Sequence, residues 1–186
     1  MVDVERRRAE ITDAAARLIA RSGIESATMR EVAAEAGWTT GAVTHYFADK
    51  RELLLTTFQD SLAKRQSLRL AANAATPAEQ LRASLEGALP LDEDRRRHWL
   101  VTLACCTQAS GDERLADAQR QAYREFRDRV TALVTACGLV SHENPRGLAE
   151  RLIAGADGIA IQALFDAESF PPERQLALLD TFLADG

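Results

Sequence analysis

Gly37-Trp38-Thr39-Thr40-Gly41-Ala42-Val43-Thr44-His45-Tyr46-Phe47, GWTTGAVTHYF, is the stretch whose reading decides the rest of the chain. Its hydroxyls, imidazole and aromatic pair admit two readings, a nucleophile–base cluster or a surface that donates hydrogen bonds to something flat and anionic. On a helix, the adjacent Thr44 and His45 point about 100° apart. No carboxylate stands by to orient the imidazole, so a catalytic Thr/His pair is disfavoured. Gly37 sits where a sharp helix stop needs positive φ, and Thr39 is placed to cap the next helix. Val43 and Phe47 clamp that helix onto the preceding one, whose Ala33 is small where two steeply crossed helices touch. Thr39, Thr40, Gly41, Ala42, Thr44 and His45, with Tyr46 in part, remain outward. That surface is short, neutral and rich in donors.

Outward from this turn, nearly everything reads as helix. Apolar residues return at spacings of three and four, without sustained alternation. Thr28-x-x-Glu31, Asp49-x-x-Glu52 and Thr76-x-x-Glu79 have capping-box form, the last with Pro77 at the first helical position. Asn144-Pro145 and Pro171-Pro172 announce two more starts, and Gly23, Gly111 and Gly138 sit where helices should stop. The expected helices are 5–22, 29–36, 40–46, 50–71, 77–89, 94–109, 113–137, 145–166 and 173–184. The fold class is therefore all-α with about nine helices. A three-helix helix-turn-helix domain occupies residues 1–48, and a larger helical body occupies residues 49–186. In the first helix Ile11, Ala15, Leu18 and Ile19 share the face to be buried, and Arg6-Arg7-Arg8 reads as a solvated start.

Charge narrows the function. The 186 residues carry a net −5. Residues 1–52 hold 8 Lys/Arg against 9 Asp/Glu, so the helix-turn-helix part is itself slightly acidic. A DNA reader built on bulk positive charge is excluded, and any recognition must work through a few placed contacts. No apolar run reaches the roughly 18 residues of a membrane helix, and the N-terminus has no apolar signal region, so the expected location is cytoplasmic. Cys105, Cys106 and Cys137 have no C-x-x-C spacing and read as small buried hydrophobes, with redox sensing at Cys105/Cys106 as the alternative. No nucleophile elbow, phosphate loop or metal-ligand motif is present, so neither an enzyme nor a cofactor is expected. A helical protein-interaction module anchored by Trp38 is the other alternative.

The wording T-x-R-E-V-A-x-E-A-G-W-T-T-G-A-V-T-H-Y-F-A-D-K-R-E-L-L, beginning at Thr28, resembles the N-terminal domain of tetracycline-repressor (TetR) family regulators. The likeness runs from about Arg6 to Phe58. TTGAVTHYFADK is especially similar to choline-responsive repressors of the betaine pathway. The resemblance implies that Thr40 to Phe47 lies in a major groove, with Thr39, Thr40 and Thr44 near base edges or phosphates. Gly41 and Ala42 would allow close approach, while Thr28, His45, Tyr46 and Lys50 would reach phosphates. Many members carry Tyr where this chain has Thr44, so that phosphate contact is weakened here or passes to His45 and Tyr46.

For the body, the same resemblance implies a homodimer through the last two helices, with Leu152, Ile159, Ala163, Leu176, Leu179 and Phe182 at the interface. It also implies an effector cavity among helices that carry Phe58, Trp99, Thr102, Cys106, Tyr123, Phe126 and Phe165. The expected function is a repressor released from a palindromic DNA operator by a small-molecule effector.

Overall fold

The structure, a computed structural model, describes residues 2–70, 76–138 and 144–184. Among these residues there is no strand. The helices are α1 (Val2–Ser22), α2 (Met29–Ala36), α3 (Thr40–Tyr46), α4 (Lys50–Leu70), α5 (Pro77–Glu86), α6 (Glu93–Gln108), α7 (Glu113–Ala136), α8 (Pro145–Phe165) and α9 (Pro172–Ala184). A 3₁₀ turn, Ile24–Ser26, was not expected from sequence. Residue 71, the expected end of the fourth helix, lies outside the described residues.

The caps account for the starts. Thr76 accepts from Glu79 N at 3.2 Å while Glu79 Oε2 accepts from Thr76 N at 2.9 Å, a complete capping box. At Thr28 the hydroxyl accepts from Glu31 N, but the Glu31 carboxylate turns to Arg30. Asp49 Oδ1 accepts from Glu52 N, and the Glu52 carboxylate returns to Ala48 N, one residue earlier than a strict box. Asn144 Oδ1 takes Gly147 N at 2.8 Å.

Packing divides the chain into two compact units: Met1–Lys64 with Arg97–Gln119, and Arg65–Arg96 with Arg120–Gly186. In the first, Ile11, Ala15, Leu18 and Ile19 of α1 are buried with Val32 and Ala33 of α2 and Val43 of α3. Phe47, Leu53, Phe58, Val101 and Cys105 complete that core. Leu53 and Phe58 explain why the first part of α4 packs with α1, α2 and α3.

In the second unit, Leu81 and Leu85 of α5 meet Phe126, Val130 and Val134 of α7, Leu148, Leu152 and Ile159 of α8, and Leu179 of α9. Burying each leucine contributes roughly 1.5–3 kcal/mol relative to exposure. Arg96 donates from Nη1 to Ala163 O at 2.9 Å and from Nη2 to Leu164 O at 2.7 Å, satisfying carbonyls at the end of α8. Two glycines set close approaches. A Cβ at Gly87 would lie 2.9 Å from Arg69 Cα and N, and one at Gly155 would lie 3.0 Å from the Phe182 ring.

The interface expected on α8 and α9 changes accordingly. Leu152, Ile159, Ala163 and Leu179 are at most 3% exposed and fill this chain's own interior. Leu176 and Phe182 are half-buried against the same core. A helix with Gly and Ala scattered around it carries no clear apolar stripe, so spacing alone could not tell its inner face from its outer one.

Candidate nucleic-acid interface

The turn between α2 and α3 forms as its residues require. Gly37 has φ +73°, and its N–H bonds back to Ala33 and Ala34 carbonyls. Trp38 N donates to Ala33 O at 2.8 Å. Thr39, in extended backbone, caps α3 by accepting from Ala42 N at 3.2 Å. Val43 and Phe47 are fully buried, so α3 is clamped by two side chains one turn apart.

What faces outward is the expected row. Thr39, Thr40, Gly41, Thr44 and His45 are exposed, and Ala42 and Tyr46 are half-buried. Thr44 Oγ1 donates to Gly41 O at 3.0 Å, leaving its lone pairs outward. Among the described residues, a Cβ placed on Gly41 would meet nothing within 4 Å beyond the backbone of its own helix. Internal packing therefore does not demand glycine there. Thr28 and Lys50 flank the row: Thr28 is exposed at the start of α2, and Lys50 Nζ rests 3.5 Å from Glu25 O.

Several supports escaped sequence reading. The Arg8 guanidinium donates to Tyr46 O, pairs with Glu52 Oε1 at 3.3 Å and lies 4.3 Å from the Phe47 ring centroid. Arg8 thus belongs to the scaffold rather than to a solvated start. Arg7 lies 4.8 Å over Trp38, and Tyr46 meets Trp38 edge-on at 5.9 Å. These contacts hold the half-buried Trp38 within the turn. Arg17 and Arg21 both bond Glu35 at 2.9 Å, fastening α2 to α1 and holding that carboxyl below its usual range. The only signal for these ties was the recurrence of arginine on the polar side of α1.

The residues expected around an effector divide. Phe58, Trp99 and Thr102 are buried in the first unit. Phe126 is buried and Tyr123 half-buried in the second. Cys106 is exposed and Phe165 is 82% exposed, so neither lines an enclosed space within this chain. Both sit near a helix end, where helical spacing alone does not fix burial. Burial pushes the Cys105 thiol up to about 12, with Cys106 adding to the shift, which leaves it an inert thiol at neutral pH.

The comparisons agree with this architecture. Residues 11–57 match the family of bacterial regulatory proteins called tetR. Residues 77–186, more than half of the chain, match the C-terminal family of BetI-type transcriptional repressors. The HTH-type transcriptional regulator PksA of Bacillus subtilis (strain 168) is 30% identical over 169 residues, covering 89% of this chain and 82% of that protein. The regulator BetI of Rhizobium meliloti (strain 1021) is 28% identical over 179 residues, covering 95% and 87%. A solved transcriptional regulator from Rhodococcus sp. Rha1 superposes with TM-score 0.85 at 30% identity, covering 95% of this chain and 94% of that one. Another from Saccharomonospora viridis, in complex with choline, gives TM-score 0.87 at 24% identity and covers 97% and 96%, a likeness of fold. The two protein relatives are named as transcriptional regulators, not as enzymes. This chain belongs to the TetR family of transcriptional regulators, with a C-terminal part of the BetI type, and shares that family's partners: operator DNA, a second copy of itself and a small-molecule effector.

Proposed function

We propose that this chain is a homodimeric, cytoplasmic repressor that holds a palindromic operator through α3 and leaves it when an effector binds the helical body. Residues 1–48 carry the DNA-reading role, and residues 49–186 carry effector binding and dimerisation. The observation that carries the reading is the row Thr40, Gly41, Thr44 and His45, exposed on a helix whose opposite side is fully buried. Neutral donors and helix N-termini position a protein on phosphates without a basic patch, which suits a chain of net charge −5. Thr28, Thr39, Tyr46 and Lys50 position the helix, Ala42 and Gly41 admit close approach, and Thr40 and Thr44 read base edges. A two-fold dimer supplies the second reading helix, since one short helix reads too few bases.

The dimer face we propose is the outer side of α8. Ile161 and Phe165 are 41% and 82% exposed, one turn apart, and a Cβ on Gly158 would meet no described residue within 4 Å beyond its own helix backbone. Beside them lies a cavity of about 340 Å³ lined by Gly155, Gly158, Gln162, Arg174, Leu178 and Phe182.

Footprinting of the DNA upstream of the chain's own gene tests the reading. An inverted repeat should be protected, Thr40→Ala should change base preference, and Lys50→Ala should weaken all sequences alike. No protected site, or unchanged binding in both variants, rejects it. Choline is the effector that the Saccharomonospora viridis complex suggests, but the charges inside this chain's body favour another class.

A further inference from the structure

The stripe that buries Leu53, Thr57 and Ser61 on α4 continues at the same four-residue spacing into two arginines. Arg65 is 4% exposed and Arg69 is 7% exposed. The Arg69 guanidinium lies 3.7 Å from the centroid of the Phe126 ring. Its Nε has no hydrogen-bond partner among the described residues. Asp157 acts on it through space and not through a hydrogen bond. The Asp157 carboxylate is occupied elsewhere, with Oδ2 accepting the Tyr123 hydroxyl at 2.6 Å and Oδ1 buried without a partner among the described residues. A buried cation left with an aromatic face and a distant carboxylate is costly, and protein interiors keep such groups when something else completes them.

The geometry says what would complete it. Stacking uses the face of the guanidinium and leaves its in-plane N–H fork free, the arrangement that grips a carboxylate in bidentate fashion. Arg65, one turn earlier, adds a second positive charge that acts on Arg69 and on Asp157. Phe126 and the half-buried Tyr123 supply apolar walls. Asp157 Oδ1 can accept from a hydroxyl or amine on the same ligand. Gly87 fixes the anchor, because its Cα approaches the Arg69 backbone too closely for any side chain. Burial, then the charge on Arg65, pulls Arg69 down to about 9, so it stays protonated at neutral pH. A quaternary ammonium would meet two buried guanidiniums, with the Asp157 carboxylate already bonded to Tyr123.

We propose that Arg69, with Tyr123, Phe126 and Asp157 around it, is an anion-recognition centre, and that the effector is an organic carboxylate with an apolar body. This rests on the effector-released regulator reading.

Calorimetric titration and thermal unfolding of the full chain, with sodium benzoate, choline chloride and sodium chloride at equal ionic strength, test it. Benzoate should bind the wild type and raise its Tm above the sodium chloride control, and choline should do neither. Arg69→Met, which keeps the apolar length and removes the charge, should bind benzoate roughly tenfold more weakly or not at all. Its ligand-free Tm should equal or exceed that of the wild type. The proposal is overturned if benzoate does not bind the wild type, binds the variant equally well, or binds more weakly than choline. It is overturned equally if Arg69→Met lowers the ligand-free Tm, the mark of a purely structural cation. Operator binding by ligand-free wild type is measured separately, so failure of the regulator reading shows there and leaves the benzoate result to judge the anion centre.

Discussion

Arg8 donates to the backbone carbonyl of Tyr46, the last residue of α3, and so ties α3 to α1 across 38 positions of sequence. The same guanidinium stacks on Phe47 and pairs with Glu52, three interactions from one side chain. Arg8→Ala should cost about 1–2 kcal/mol, the sum of a carbonyl hydrogen bond and a partly exposed cation–π contact. At this chain length that lowers Tm by several degrees. Arg8→Lys should recover little, because an ammonium cannot stack and fork together. Thermal unfolding followed by circular dichroism checks both, and an unchanged Tm in Arg8→Ala would remove Arg8 from the scaffold.

Gly41 separates stability from recognition. Beyond its own helix backbone, no described residue lies within 4 Å of a Cβ there, so Gly41→Ala should leave Tm unchanged or slightly raised, as alanine favours helix by up to about 1 kcal/mol. Operator affinity should fall roughly tenfold, about 1.4 kcal/mol, because the added methyl stands where DNA must approach. Gel-shift titration beside the melting curve decides. Equal affinity in the two proteins would mean that the glycine serves no contact.

Acid should loosen the first unit. Arg17, then Arg21, hold Glu35 below its usual 4.5 by hydrogen bonding. The backbone N–H of Ala48, then Arg8, do the same for Glu52. A carboxyl with its folded pKa lowered contributes stability that is complete above 4.5 and lost as pH falls below it. Asp157 runs the other way, since burial raises it and charging it costs stability as pH climbs past its usual 3.8. Tm measured from neutral pH down to about pH 3 should decline, and Glu35→Gln should flatten that decline. A variant with the wild-type slope would show that the Arg17–Glu35–Arg21 link contributes nothing.

Phe165→Glu and Leu179→Glu should fail differently. Phe165 is 82% exposed, so a charge there should split the dimer and leave each chain folded. Leu179 is fully buried, so a charge there should unfold the second unit, at a cost of several kcal/mol. Sedimentation velocity with circular dichroism distinguishes folded monomer from unfolded chain. A folded dimer in Phe165→Glu would move the interface elsewhere.

Helix starts were legible because their signals are local. Thr76, Asn144 and Thr39 each satisfy an amide three residues on, and a pattern that short survives any tertiary context. The outward row of α3 was legible for a related reason, since burying Val43 and Phe47 leaves the remaining positions nowhere else to point. Arg65 and Arg69 were not legible. A search for apolar periodicity passes over charged residues, although both arginines continue the buried spacing of Leu53, Thr57 and Ser61. Leu179 misled in the opposite sense: its spacing announced a buried face, and whether that face meets its own chain or a second copy is a tertiary fact.

Gly87 has a mechanical meaning. Where its Cα rests on the backbone of Leu68 and Arg69, no side chain intervenes that could change rotamer and absorb a displacement. The end of α5 and the end of α4 therefore meet as a joint without play. A shift of the Arg69 backbone is therefore handed to two helices at once, and any substitution at Gly87 would pry that joint open.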